Sequence, residues 1–87
     1  MTFGELTIGD IVYVGVKTNN GYNETTYTIR EKQYADGISG KCVHIILNEN
    51  IPTIGRADFF LNCNHCLWST IPINGEYTVI RTFKLAN

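Results

Sequence analysis

Apolar side chains recur at every second position in several short runs, and this two-residue period is the feature that most restricts the fold. In the clearest run, residues 41–48, one face carries Val43, Ile45 and Leu47, and the other carries Cys42, His44 and Ile46. Successive side chains of a strand point to opposite faces, so the period is typical of β-structure. Turn-forming dipeptides separate the runs: Asn20-Gly21, Asp36-Gly37 and Asn74-Gly75. The pattern predicts strands joined by tight turns.

The composition favours the same fold class. β-Branched and aromatic residues number 36 of the 87, whereas strong helix formers number 22. Six strands are predicted, over residues 10–17, 24–33, 41–48, 57–62, 67–70 and 76–85. We therefore expect an all-β fold, a small antiparallel barrel or meander of five to six strands in one domain over residues 1–87. An alternative interpretation makes residues 53–61 a helix capped by Thr53, which Gly55 and the adjacent pair Phe59-Phe60 disfavour.

The opening of the chain resembles a known class of domain. Residues 6–12 read Leu-Thr-Ile-Gly-Asp-Ile-Val, and this Leu-x-x-Gly-Asp-x-Val pattern is similar to the opening of small SH3-like barrels. The resemblance implies that Leu6 and Ile8 close one end of the barrel, while Gly9 permits the turn into the first strand and Asp10 caps it. It does not select a function, because such barrels serve many unrelated functions.

Charge and hydropathy exclude several classes of protein. Seven basic and eight acidic residues leave a net charge of −1, which disfavours non-specific binding to nucleic acid. No apolar run approaches 18 residues, so no membrane span is predicted. The first residues lack the basic-then-apolar layout of a secretion signal. We therefore expect a cytoplasmic protein with reduced cysteines.

One group of residues fits a structural zinc site. Cys63-Asn64-His65-Cys66 has the Cys-x-x-Cys spacing of a zinc knuckle, and Cys42 and His44 lie two apart on a predicted strand. Together Cys42, His44, Cys63 and Cys66 would form a Cys3His site, with His65 as a substitute for His44. Three alternatives remain open: unliganded cysteines, a redox dithiol, or a cysteine nucleophile assisted by His65 and Asp58. Without zinc we expect no cofactor, and we expect no enzymatic activity.

Aromatic and basic residues form a second candidate site, for a protein partner. Its predicted contact residues are Tyr22, Tyr34, Arg30, Lys32 and Trp68, with Lys41 beside them. Core packing is the alternative for most of the rings, and it is favoured for Tyr27. Isoleucines at 51, 54, 71 and 73 either cap the barrel ends or form an apolar patch, and capping is favoured.

The resulting hypothesis is a non-catalytic binding module for a protein partner, with homodimerisation expected because a thin core leaves strand edges to cover. A phage or mobile-element accessory protein would fit this description. The alternative function is a zinc-knuckle-stabilised barrel that binds nucleic acid, which predicts one shared face for Arg30, Lys32, Lys41 and Arg56.

Overall fold

The computed structural model describes residues 1–18, 21–37, 40–52, 54–67, 71–73 and 78–86, with side chains except at 18, 71–73 and 78–82. A 3₁₀ turn covers Phe3–Glu5. The strands are β1 Ile11–Thr18, β2 Gly21–Gly37, β3 Gly40–Ile51, β4 Arg56–Asn62, β5 Ile71–Ile73 and β6 Thr78–Leu85. All pairs of neighbouring strands are antiparallel, which confirms the predicted all-β fold class.

The strands form a sheet in the order β4-β3-β2-β1-β6-β5. The first four strands make a meander, and the β5–β6 pair is added beside β1. β4 and β5 are the edges, so the described strands form an open sheet. β2 joins its two halves, because residues 21–28 pair with β1 while residues 29–37 pair with β3. The register shifts between Ile29 and Glu31, at the point where β2 changes partner.

Residues 63–67, which follow β4, link the start of the chain to β6. Two backbone hydrogen bonds run from the 3₁₀ turn to this segment, Phe3 N to His65 O at 3.0 Å and Gly4 N to Cys63 O at 3.1 Å. Leu67 donates its N–H to Met1 O and accepts from Phe83 N, both at 3.0 Å. The Cys63-to-Cys66 turn is therefore held between the N-terminal residues and the last strand.

Five of the six predicted strands are confirmed, three of them with longer bounds, and the alternative helix over 53–61 is wrong. The structure has β4 in this region, with Phe59 opposite Ile45 and Leu61 opposite Val43. All four side chains are buried. Burial at every second residue of β4 is typical of a strand and not of a helix. The predicted strand 67–70 falls mostly on residues outside the described ranges. β5 covers Ile71–Ile73 at a sheet edge, where the missing N–H of Pro72 is tolerated.

The opening segment follows its predicted geometry except at Ile8. Leu6 is buried, and Gly9 adopts a φ of 93°, a conformation that favours glycine. Asp10 caps the turn by accepting a 2.9 Å hydrogen bond from Thr7 N on its carboxylate. The prediction that Ile8 closes the barrel is wrong: it lies in the turn and is 64% exposed.

Three phenylalanines lie at the centre of the core. Phe83 is fully buried and packs edge-to-face on Phe3 and on Phe59, with ring centroids 5.6 Å apart in both pairs. Tyr27 is buried, as predicted, and Ile51 is buried with Ile54 packed against the core, which agrees with the capping role. No helix in the described ranges is long and apolar enough to cross a bilayer.

Replacing Phe83 should test this core. Phe83→Ala removes the ring shared by both aromatic pairs and should lower the free energy of unfolding by about 3–5 kcal/mol. Phe60→Ala is the matched control, because Phe60 is 63% exposed. Its effect should be smaller, about 0.5–1.5 kcal/mol, because the exposed ring is stacked only on His44. Urea titration measures both, and equal losses in the two variants would contradict the assignment of Phe83 to the core.

Candidate functional site

Tyr34 and Lys32 meet the N-terminal turn at one point. In the β2–β3 register Tyr34 is opposite Val43 and Lys32 is opposite Ile45, so both point to the core face of the sheet. They extend past the core to the carbonyl of Gly4. Lys32 Nζ donates to Gly4 O at 2.6 Å, and the Tyr34 hydroxyl donates to the same oxygen at 3.0 Å. The structure thus joins two of the predicted partner-binding residues.

Lys41 completes this group. It lies two residues before Val43 on β3 and therefore shares the face of Tyr34. Its ammonium nitrogen is 5.3 Å from the Tyr34 ring centroid, and that of Lys32 is 4.6 Å away. Both distances lie within the range of cation–π attraction. We call Tyr34, Lys32, Lys41 and the Gly4 carbonyl the Tyr34 surface.

The tyrosine ring is open to solvent although its hydroxyl is fixed. Tyr34 is 56% exposed, Lys41 is exposed and Lys32 is half-buried. The Gly4 carbonyl is itself held, because Gly4 N bonds to Cys63 O. A Cβ at Gly4 would lie 3.1 Å from both the Cβ and the carbonyl oxygen of Cys63, so this close packing favours glycine. The Tyr34 surface is therefore exposed and firmly positioned.

The other predicted partner-binding residues lie elsewhere or outside the described ranges. Tyr22 is at the opposite end of β2, where its ring lies across Gly15 and its hydroxyl donates to Glu24 at 2.9 Å. Tyr22 is 48% exposed. Arg30 is exposed at the register shift of β2. Trp68 lies outside the described residues.

The candidate zinc ligands point in different directions. Cys42 and His44 lie on the face of β3 opposite the buried Val43, as predicted, whereas Cys63 is buried in the core. Cys66 is exposed, and all three cysteines are free thiols. Within the described ranges, no group of three or more His, Cys, Asp or Glu side chains could hold a metal ion. The geometry gives the zinc prediction no support, and it stays a prediction.

His44 instead takes part in a contact between β3 and β4. Its Nε2 lies 3.1 Å from an Asp58 carboxylate oxygen, and its ring stacks on Phe60 with centroids 4.1 Å apart. Arg56 Nε donates to the Asp58 carbonyl at 3.0 Å. This cluster was not predicted from the sequence, although adjacent Phe59 and Phe60 on one strand must point to opposite faces. One of the two therefore had to lie on the outer face.

A cleft of about 190 Å³ opens beside the core between β1, β2 and the end of β3. Val14, Val16, Ile51 and Pro52 supply its apolar walls, and Tyr27 lies among them. Burial raises the pKa of Tyr27, and the negative charge of Glu49 raises it further. The phenol therefore stays protonated at neutral pH, and the cleft is lined by uncharged side chains.

No protein-family model, curated protein or solved structure matches the chain. The SH3-like resemblance, the homodimer and the phage or mobile-element role stay predictions.

Thiol labelling should follow the burial of the three cysteines. In the native protein Cys66 should react first. Cys63 should react at least about tenfold more slowly, because the reagent reaches a buried thiol only when the fold opens locally. In denaturant all three should react at similar rates. Mass spectrometry of quenched samples gives the order, and fast native labelling of Cys63 would contradict its burial.

The same assay tests the zinc prediction. If zinc holds Cys63 and Cys66, adding a chelator should speed the labelling of both thiols. Metal analysis of protein purified without chelator should then find about one zinc per chain. A clean absence of zinc, with labelling unchanged by chelator, would contradict the prediction.

Acid should weaken the turn that presents the Gly4 carbonyl. Hydrogen bonds from the Thr2 backbone and then from the Thr2 hydroxyl lower the pKa of Glu5 below its ordinary value. A lowered pKa means that the charged form stabilises the fold above the unfolded-chain value of about 4.3, and that this is lost as the pH falls. Glu5→Gln should therefore be less stable than wild type at neutral pH, and the difference should shrink in acid.

Urea midpoints of both proteins at neutral and acidic pH measure this difference. Glu31→Gln, at an exposed position of β2, controls for the loss of one negative charge. A gap between wild type and Glu5→Gln that stays constant across the pH range would contradict the role of the Glu5 carboxylate.

Proposed function

We propose that the chain is a non-catalytic protein-binding module, and that it contacts a peptide segment of its partner through the Tyr34 surface. The observation that carries the proposal is an exposed aromatic ring whose hydroxyl is fixed on the Gly4 carbonyl at 3.0 Å and whose ring is flanked by two lysines. This site combines an apolar face with polar groups at its rim, as protein-recognition sites do.

The fixed orientation of Tyr34 supports a binding role. An exposed side chain that is ordered only on binding costs about 0.5–1.5 kcal/mol of conformational free energy. The hydrogen bond to Gly4 O and the packing beside Lys32 restrict the ring before any partner arrives. Tyrosine also has few rotatable bonds for its large contact area, which is why it is common in recognition surfaces.

The contacts of the other exposed rings make Tyr34 the stronger candidate within the described ranges. The Phe60 ring is stacked at 4.1 Å on His44, and the Tyr22 ring covers the backbone at Gly15. These two rings pack on an imidazole ring and on backbone, whereas the Tyr34 ring contacts the ammonium groups of Lys32 and Lys41. Tyr34 is 56% exposed, and two positively charged ammonium groups lie beside its ring.

Charge placement favours a protein over a nucleic-acid partner. The nucleic-acid hypothesis needs Arg30, Lys32, Lys41 and Arg56 on one face. Lys41 lies near the start of β3, whereas Arg56 is opposite Ile51 at its end. Arg56 also lies 3.9 Å from an Asp58 oxygen. A net charge of −1 also gives the chain no excess of basic residues for binding a phosphate backbone.

A selection from a random peptide display library tests the proposal. The immobilised wild-type chain should enrich peptides whose binding, measured with the purified synthetic peptides, falls by about tenfold or more in Tyr34→Ala, a loss typical of an aromatic anchor. Phe60→Ala is the matched control, since it also removes an exposed aromatic ring, and it should bind as wild type does.

Urea titration of each variant shows whether a loss of binding comes from unfolding. Tyr34→Phe adds a second measurement, because it keeps the ring and removes only the hydrogen bond to Gly4 O. The proposal fails if the library yields no binding peptides. It also fails if the enriched peptides bind folded Tyr34→Ala as tightly as wild type.

A further inference from the structure

We infer that the segment bound at the Tyr34 surface is acidic, with a carboxylate held by Lys32 and Lys41 while the adjoining chain packs on the Tyr34 ring. This inference rests on the proposed function and names the chemistry of the partner. Four observations on the charges around Tyr34 lead to it.

First, the two lysines have no acidic partner within the described ranges. The ion pairs found there join His44 to Asp58 and Arg56 to Asp58, on the other face of the sheet. Asp36 is opposite Lys41 in the β2–β3 register, but it forms no ion pair with it within 4.0 Å. In the part of the chain that the structure describes, neither lysine is therefore neutralised by a contacting carboxylate.

Second, the groups that Lys32 contacts leave its charge uncompensated. Its ammonium bonds to a neutral backbone carbonyl at 2.6 Å and lies over a neutral ring at 4.6 Å. Lys32 is also half-buried, so water screens it less than a fully exposed lysine. An ammonium has three donors, and the Gly4 carbonyl occupies one of them.

Third, the nearest carboxylate on the N-terminal turn is already occupied. Glu5 follows Gly4, and one of its carboxylate oxygens accepts hydrogen bonds from Thr2 N and from the Thr2 hydroxyl, at 3.0 and 3.1 Å. This carboxylate holds the turn together. It forms no ion pair with Lys32 or Lys41 within 4.0 Å, and we infer that a carboxylate of the partner takes that place.

Fourth, the positions of both lysines are restricted before binding. Each ammonium lies on the Tyr34 ring, at 4.6 and 5.3 Å from its centroid. A carboxylate that bonds to them gains charge-assisted hydrogen bonds, which are about twice as strong as neutral ones. Carboxylates suit this site, since the ring offers packing area for the methylene groups of glutamate or aspartate.

The test uses the peptides selected on the wild-type chain, each made in two forms. In the second form every Glu is replaced by Gln and every Asp by Asn, which keeps shape and removes charge. We expect the selected peptides to be rich in acidic residues. The neutral form should bind about tenfold or more weakly, as the loss of a close charge pair at an interface implies.

The second part of the test reverses a charge on the protein. Lys41→Glu should weaken the binding of the acidic peptides by about tenfold or more and that of the neutral forms far less. Lys17→Glu is the matched control, because Lys17 is an exposed lysine on β1 and lies away from Tyr34. Binding of the acidic peptides should also weaken as salt is added. Urea titration confirms that each variant is folded.

The outcomes separate this inference from the proposed function. Selected peptides that bind through Tyr34 equally well in acidic and neutral forms would overturn the inference and leave the protein-binding module standing. A library that yields no binders overturns both. A single-stranded oligonucleotide that binds more tightly than the acidic peptides, with dependence on Lys41, would overturn the acidic-peptide inference in favour of nucleic acid.

Discussion

The change of partner along β2 is the constraint on which the rest of the structure depends. Residues 21–28 of this strand pair with β1 and residues 29–37 pair with β3, with a register shift between Ile29 and Glu31. A shift of this kind bends a strand and increases its twist. It allows one strand to serve two halves of the sheet, so that Tyr27 and Ile29 are buried in the same core as Val14 and Ile45.

The far half of β2 then meets the N-terminal turn. Gly4 is held against Cys63 by a backbone hydrogen bond and by close packing, and its carbonyl accepts from both Lys32 and Tyr34. The backbone of the Cys63-to-Cys66 turn thus helps to hold the Tyr34 surface, where we propose that the partner binds. The core and the proposed contact surface share this junction, which explains why that surface is exposed and ordered at the same time.

Strand positions could be predicted from the sequence because a two-residue period records which side of a sheet each residue faces. Val43, Ile45 and Leu47 are buried as expected, and Gly9 and Asp10 make the expected turn. Ile8 could not be placed, because an isoleucine in a turn carries no periodic signal. The site was predictable only in part. Tyr34 and Lys32 were candidates by residue type, but nothing in the sequence indicated that both would bond to Gly4.

The sequence by itself determined the all-β class and the inward faces of the strands. These properties depend on residues that are close together in the sequence, so they can be predicted from the sequence pattern. Tertiary structure alone decided that Lys32, Tyr34 and Lys41 come together while Tyr22 lies at the other end of β2. It also decided that His44 pairs with Asp58 and Phe60, with Cys63 buried elsewhere. The physical reason is strand register: which residues lie opposite each other depends on the pairing of distant segments, and the core selects that pairing as a whole.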